Sequence, residues 1–223
     1  MNEAHLNYLI QIGDNERGYI GNNSFHWANH VLPSGNFDNY LNRKFNRYEL
    51  FEYCCDPNNS NLNVLAAILS WGGMRRDHGR LLFNNLEFVL GIVDNLRNGV
   101  YQNRQIAFSK IQENRTNNLL SGLGIGYFTK LICFLAPNLN GYIMDQWVSK
   151  SINLLTGQKV VSITSNSWVN DNNNADTYEI FCTHIDNLAI LLNCSGFEAE
   201  KRIFSVGRGH GAWRNYLIQN YKN

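Results

Sequence analysis

No stretch of this 223-residue chain approaches the run of about 18 apolar residues that a membrane span needs, and no membrane partner is expected. The opening residues, Met1-Asn2-Glu3-Ala4-His5, lack the basic start and apolar block of a signal peptide, so the chain reads as soluble and cytoplasmic. There is no Cys-x-x-Cys pair. The five cysteines (Cys54, Cys55, Cys133, Cys182 and Cys194) are odd in number and scattered, which argues against a disulfide framework, a zinc site and a four-cysteine iron–sulfur cluster. Adjacent Cys54 and Cys55 point in different directions, and all five read as reduced and mostly buried. A Gly-x-x-x-x-Gly-Lys-Ser/Thr phosphate loop is also missing. His26 and His30 stand four apart, but Phe25-His26-Trp27-Ala28-Asn29-His30 lacks the Glu of a metalloprotease signature. Neither a metal nor an organic cofactor is expected.

What is present suits a packed protein. Hydrophobic residues make up 44% and aromatics 13%, enough for one good core or for two small helical lobes sharing a cleft. The net charge of +1 hides an uneven distribution. Residues 61–150 carry nine cations (Arg75, Arg76, Arg80, Arg97, Arg104, Lys110, Arg115, Lys130, Lys150) against five anions (Asp77, Glu87, Asp94, Glu113, Asp145), a surplus of four. Residues 1–60 carry the compensating acidity. A basic middle can track a phosphate backbone, and an uneven solvated surface explains the same numbers.

Most segments predict helices. The apolar run Leu62–Ser70 reads as a buried helix, and Leu86, Val89, Leu90, Val93 and Leu96 form a helical stripe that stops at Gly99. Further helices are expected over Tyr127–Leu135, Gln146–Leu155, Glu179–Leu192 and Phe197–Phe204. Strand content is thin, with Lys159–Thr164 its best candidate. Gly13–Ser34 and Ser165–Ala175 read as polar loops. No repeat or linker divides the chain, so residues 1–223 are taken as one mainly helical domain whose lobes come from distant segments.

The informative stretch is Leu119-Leu120-Ser121-Gly122-Leu123-Gly124-Ile125-Gly126-Tyr127-Phe128-Thr129-Lys130. A short helix, Arg115–Leu120, is expected to run into a glycine-rich turn, with a second helix starting near Gly126. Gly122 and Gly124 permit positive φ and close backbone approach. The turn then presents the free N–H groups of a helix start, where an anion such as a DNA phosphate is favoured. A glycine-rich turn of purely structural value has the same appearance. Alternating glycines without a preceding strand do not suit a dinucleotide fold.

Leu120-Ser121-Gly122-Leu123-Gly124 resembles the helix-hairpin-helix motif of the DNA glycosylase superfamily, with Ser121 where proline is usual. Downstream, Gly141-Tyr142-Ile143-Met144-Asp145-Gln146-Trp147-Val148 is similar to the family segment in which two apolar residues precede the catalytic aspartate. Asp145 lies 19 residues beyond Gly126, the separation this family keeps between its hairpin lysine position and its aspartate. Within the superfamily the chain looks most like the bacterial 8-oxoguanine glycosylase-like branch. That branch pairs such a turn with an aromatic-x-Thr-Lys helix start, here Tyr127-Phe128-Thr129-Lys130, and with an upstream Trp-Gly pair, here Trp71-Gly72. The resemblance covers roughly residues 60–155 and implies a helix-hairpin-helix glycosylase fold with helical lobes around a central cleft. Its implied partner is double-stranded DNA containing a modified base, met by a monomer.

The resemblance also suggests roles. Asp145 would stabilise the cationic sugar C1′ of the transition state, and it equally suits the N-cap of a helix starting at Gln146; both can hold. Where related enzymes that also cleave the backbone carry a Schiff-base lysine, this chain has Gly126. Lys130 lies one helical turn on, and nucleophile, phosphate contact and solvated residue all remain open for it. Trp71 and Tyr127 are candidates for the pocket of the extruded base, with a core tryptophan the plainer reading of Trp71. Gly122, Gly124, Gly126, Arg75 and Arg76 are the DNA-binding candidates. Phe204–Arg214 reads as a mobile basic loop that touches DNA or covers the pocket, or is simply surface.

The function expected is therefore excision of a damaged or hypermodified base, leaving an abasic site. The resemblance offers 8-oxoguanine, or, through relatives active against phages, a bulky cytosine such as glucosylated 5-hydroxymethylcytosine. Uneven charge, long polar loops and many asparagines tilt the reading toward the sugar-bearing phage base. Two other classes compete: a DNA-binding hairpin module without chemistry, and a helical interaction protein with a chance hairpin. Salt-dependent DNA binding separates the last from the others.

Overall fold

Asn61–Trp71, which extends the apolar run at 62–70, is a helix buried on every side. In a computed structural model describing residues 1–13, 18–204 and 211–222, twelve α-helices and one two-stranded sheet are formed among the described residues. The chain divides into two units, Ile20–Gly141 and a terminal unit built from Met1–Tyr19 with Tyr142–Asn223.

In the Ile20–Gly141 unit, β1 (Ile20–Asn23) and β2 (Lys44–Asn46) pair antiparallel, Ile20 opposite Asn46 and Asn23 opposite Lys44. The helices are α2 (Ser24–Val31), α3 (Arg47–Cys55), α4 (Asn61–Trp71), α5 (Arg76–Phe83), α6 (Leu86–Arg97), α7 (Arg104–Thr116) and α8 (Ile125–Leu135). Val64 through Leu69 of α4 are fully enclosed by α2, α3, α6 and α8. A helix apolar all round is stable only in such a position. Hydrogen-bonding side chains start α3 and α4: Ser60 Oγ accepts from Asn63 N at 3.2 Å, and Asn46 forms a capping box with Glu49 ahead of α3. Each cap is worth about 1 kcal/mol. Arg97 ties the α3–α4 connection to α6, donating through Nη1 to Asn59 O and Asn61 Oδ1, both at 2.7 Å, and through Nη2 to Asp56 O at 2.8 Å.

The terminal unit holds α1 (Glu3–Ile12), α9 (Gln146–Thr156), α10 (Ala175–Leu191), α11 (Gly196–Phe204) and α12 (Ala212–Asn220). Helix α9 packs against the other four. Trp213 Nε1 donates to Ser151 Oγ at 2.9 Å, and that hydroxyl donates to Ile203 O at 3.0 Å, so one serine joins three helices. Tyr8 of α1 stacks on Tyr216 of α12 with ring centroids 4.0 Å apart.

Several expectations are corrected. Gly13–Ser34 is not one loop: residues 14–17 lie outside the described ones, and residues 20–31 form β1 and α2, because Asn23 caps α2 and Trp27, Ala28 and Val31 bury one face. Lys159–Thr164 forms no strand, only an isolated bridge between Ile163 and Val169. The helix placed at Arg115–Leu120 is the end of α7, which stops at Thr116; Asn118 follows with φ +61°. Of the cysteines, Cys54, Cys133 and Cys182 are buried, Cys194 partly so, and Cys55 is exposed. No single helix among the described residues is long and apolar enough to cross a membrane.

Candidate active site

The hairpin is residues 117–124 between α7 and α8. Gly122 sits at φ +88°, and a Cβ there would run into the carbonyl of His78 on α5, so the turn requires glycine twice over, for its torsion and for its packing. Gly124 differs from expectation. Its φ is −74°, and a Cβ would meet nothing within 4 Å. It serves as the N-cap of α8, its carbonyl accepting from Tyr127 N at 2.9 Å and Phe128 N at 3.1 Å, with no side chain capping the helix. A bare helix start of this kind favours an anion through its amides and dipole. The contact with His78 brings the start of α5 to the turn, and Arg75 and Arg76 lie there. Arg76 is exposed. Arg75 grips Asp77 with Nε–Oδ1 3.1 Å and Nη2–Oδ2 2.5 Å, and holds that carboxyl below its usual range.

One turn into α8, Lys130 is 5% exposed. Its Nζ donates to the carbonyl of Gly126 at 2.7 Å and lies 5.4 Å from the centre of the Tyr127 ring. The spacing of four thus returns the amine to Gly126, the position where the related lyases carry their lysine. Gly72 makes room for the stem: a Cβ there would stand 3.0 Å from Lys130 Cδ and 3.1 Å from Cε. Trp71, next in the chain, is 1% exposed, edge-on to Phe134 at 5.2 Å and packed on Gly21. Its surroundings are those of a core tryptophan.

Asp145 belongs to the terminal unit, at the N-cap of α9. Oδ1 accepts from both Trp147 N at 2.9 Å and Val148 N at 3.0 Å. Oδ2 receives no hydrogen bond from the described residues, so capping occupies one oxygen and leaves the other. Beside this turn stands a residue that the sequence reading placed only at the end of a loop. Arg214 of α12 is 2% exposed, lies 3.6 Å from the centre of the Trp147 ring and donates to Phe204 O at 2.6 Å. Its buried Nε has no hydrogen-bond partner among the described residues. Burial pulls the guanidinium down to about 10, while the Asp145 carboxylate acts to raise it. Lys150, whose Nζ is 5.0 Å from the same ring, is lowered by burial and then by the Arg214 charge. Arg214 was readable in part: on α12 it shares a buried face with Trp213 and Leu217. Its partner Trp147 is far away in sequence.

The structure thus gathers the hairpin glycines, Arg75, Arg76, Trp71, Tyr127 and Lys130 in the Ile20–Gly141 unit, and Asp145 with Arg214 and Lys150 in the terminal unit. Of the loop expected at Phe204–Arg214, residues 205–210 lie outside the described residues, and Arg214 itself is helical. His30 Nδ1 is 2.7 Å from His26 O, and no group of three or more His, Cys, Asp or Glu suited to a metal occurs among the described residues.

Neither a curated protein nor a solved structure shows significant similarity to the chain. A family model does match, over residues 23–204, far more than half the sequence, and the chain belongs to the family described as "Putative 8-oxoguanine DNA glycosylase OGG-like protein".

Proposed function

We propose that this protein is a DNA glycosylase that excises a modified base from double-stranded DNA, with Asp145 as the carboxylate serving the reaction. The observation that carries this reading is the family match, which spans both the hairpin and Asp145. The state of Asp145 supports it: Oδ1 is fixed by two backbone amides, and Oδ2 is left for chemistry. A carboxylate held by the backbone is preorganised and costs no rearrangement as positive charge develops at C1′.

In the hydrolytic route the C1′–N bond breaks with its electron pair leaving on the base. Water supplies oxygen to C1′ and a proton to the departed base. Asp145 stabilises the cationic sugar and orients the water. Lys130, buried and held at the carbonyl of Gly126, is the candidate for a covalent route, which its amine would enter after losing a proton. The start of α8, together with Arg76, serves the DNA backbone.

The family description favours 8-oxoguanine as the base. The tilt toward a glucosylated phage cytosine loses one support, since residues 20–31 of the stretch Gly13–Ser34 are strand and helix instead of a polar loop. The test is base release from duplexes carrying 8-oxoguanine, uracil, plain cytosine or glucosylated 5-hydroxymethylcytosine, with borohydride in a parallel set. Release of 8-oxoguanine is expected; release of the glucosylated base alone would move the role to phage defence. A borohydride adduct that Lys130→Gln abolishes would assign the covalent route. DNA binding without release of any base would favour a non-catalytic hairpin module.

A further inference from the structure

Tryptophan is the side chain with the most apolar area to hide, and this chain hides most of its own. Trp27 is 5% exposed and Trp71 and Trp213 are each 1% exposed, while Trp147 is half-buried with Arg214 over its ring. Trp168, at 64%, is the exception. It stands on the loop between α9 and α10, one of the polar stretches singled out in the sequence.

That loop is braced by its own hydrogen bonds. Thr164 N donates to Trp168 O at 2.8 Å, Ser167 N donates to Thr164 O at 2.9 Å, and Trp168 N donates to Thr164 Oγ1 at 3.1 Å. Ser167 takes φ +66°, a strained value for serine that the surrounding bonds must hold. At the base of the loop, Asn173 (2% exposed) accepts from Ser162 N and donates to Ser162 O, both at 2.8 Å. From α9, Lys150 Nζ donates to Ser167 Oγ at 3.0 Å. An indole is therefore displayed on a fixed support that is tied to the helix capped by Asp145.

A fixed exposed indole beside a cation suits a guest that is flat and carries negative charge. A nucleobase offers a π-face of the right size, and its phosphate can meet the donors of Lys150 that Ser167 leaves unused. A fully paired duplex shows no free base face, so the guest must be unstacked. Resting on the DNA glycosylase reading above, we propose that Trp168 is a stacking platform for an unpaired nucleobase of DNA, with Lys150 contacting the adjoining phosphate.

Trp168 is the tryptophan most open to solvent, so its emission reports on the proposal directly. The full chain is titrated with three probes: a fully paired duplex, the same duplex with a non-cleavable abasic analogue that leaves one base unpaired, and the single strand. With the unpaired base and the single strand, indole emission should be quenched and acrylamide access to Trp168 lost. The paired duplex should bind without either change. Trp168→Ala should abolish the quench and weaken binding to the unpaired-base duplex by about five- to a hundredfold, whereas Trp168→Phe should keep most of the affinity. Tight binding with unchanged Trp168 emission, or an equal quench with the paired duplex, overturns the platform and leaves the glycosylase reading intact. Failure to bind any of the three DNAs overturns both.

Discussion

Replacing Gly122 and Gly124 by alanine should produce opposite results, although both glycines belong to one hairpin pattern. At Gly122 the backbone is left-handed, φ +88°, where a Cβ costs about 1–2 kcal/mol. The new methyl group also faces the carbonyl of His78, a backbone atom that cannot swing aside, and forcing a group into packed structure adds about 1–3 kcal/mol. Gly122→Ala should therefore cost about 2–5 kcal/mol. For a protein of this size each kcal/mol moves the midpoint by about 2–4 °C, so a fall of about 4–20 °C is expected. Gly124, at φ −74° with nothing within 4 Å of a Cβ, should accept alanine within about 1 kcal/mol. Thermal and urea melts of the two variants, run beside salt-dependent DNA binding, provide the comparison. Equal melts for the two variants, or greater damage at Gly124, would refute the assignment of the strained residue and with it the account of how the turn meets α5.

Gly72→Ala should displace Lys130 without unfolding the chain, because the added Cβ meets first the flexible Cδ and Cε of that side chain at 3.0 and 3.1 Å. Any borohydride adduct formed through Lys130 should fall well below wild type while the melt moves by less than about 4 °C, the shift that 1 kcal/mol produces. Arg214→Met should leave stability within about 1 kcal/mol of wild type or raise it, since it removes a buried guanidinium whose Nε finds no acceptor among the described residues. Arg214→Ala should cost more, through lost packing on Trp147, and melts of both variants check the difference.

How much of this was legible in the sequence depended on whether the signal was local. Helix α4 was visible because its apolar run needs no partner to be recognised, and the end of α6 was marked by Gly99 at φ +67°. Asp145 as a cap, and Lys130 on the face of Gly126, follow from spacing alone and stand as expected. Helix α2 was hidden because the Asn and Ser residues that read as loop composition are the ones that start it. A positive φ was allowed for both Gly122 and Gly124, and of the two Gly122 takes it, because the motif pattern does not say which glycine is strained. Residues 1–19 joining 142–223, and Arg214 stacked on Trp147, are pairings between distant parts of the chain that no local pattern encodes. Trp71 and Trp168 exchange prominence for a related reason: type and neighbours flagged the first, while exposure singles out the second.

The central claim is that Asp145 does chemistry as well as capping, and Asp145→Asn separates the two. Asparagine caps a helix about as well as aspartate, so the variant should melt within about 0.5 kcal/mol of wild type. It removes the negative charge that would stabilise C1′, so single-turnover base release from the 8-oxoguanine duplex should fall by at least about a hundredfold at unchanged DNA affinity. Wild-type release rates in a stably folded Asp145→Asn variant would contradict the account and leave Asp145 as a helix cap alone.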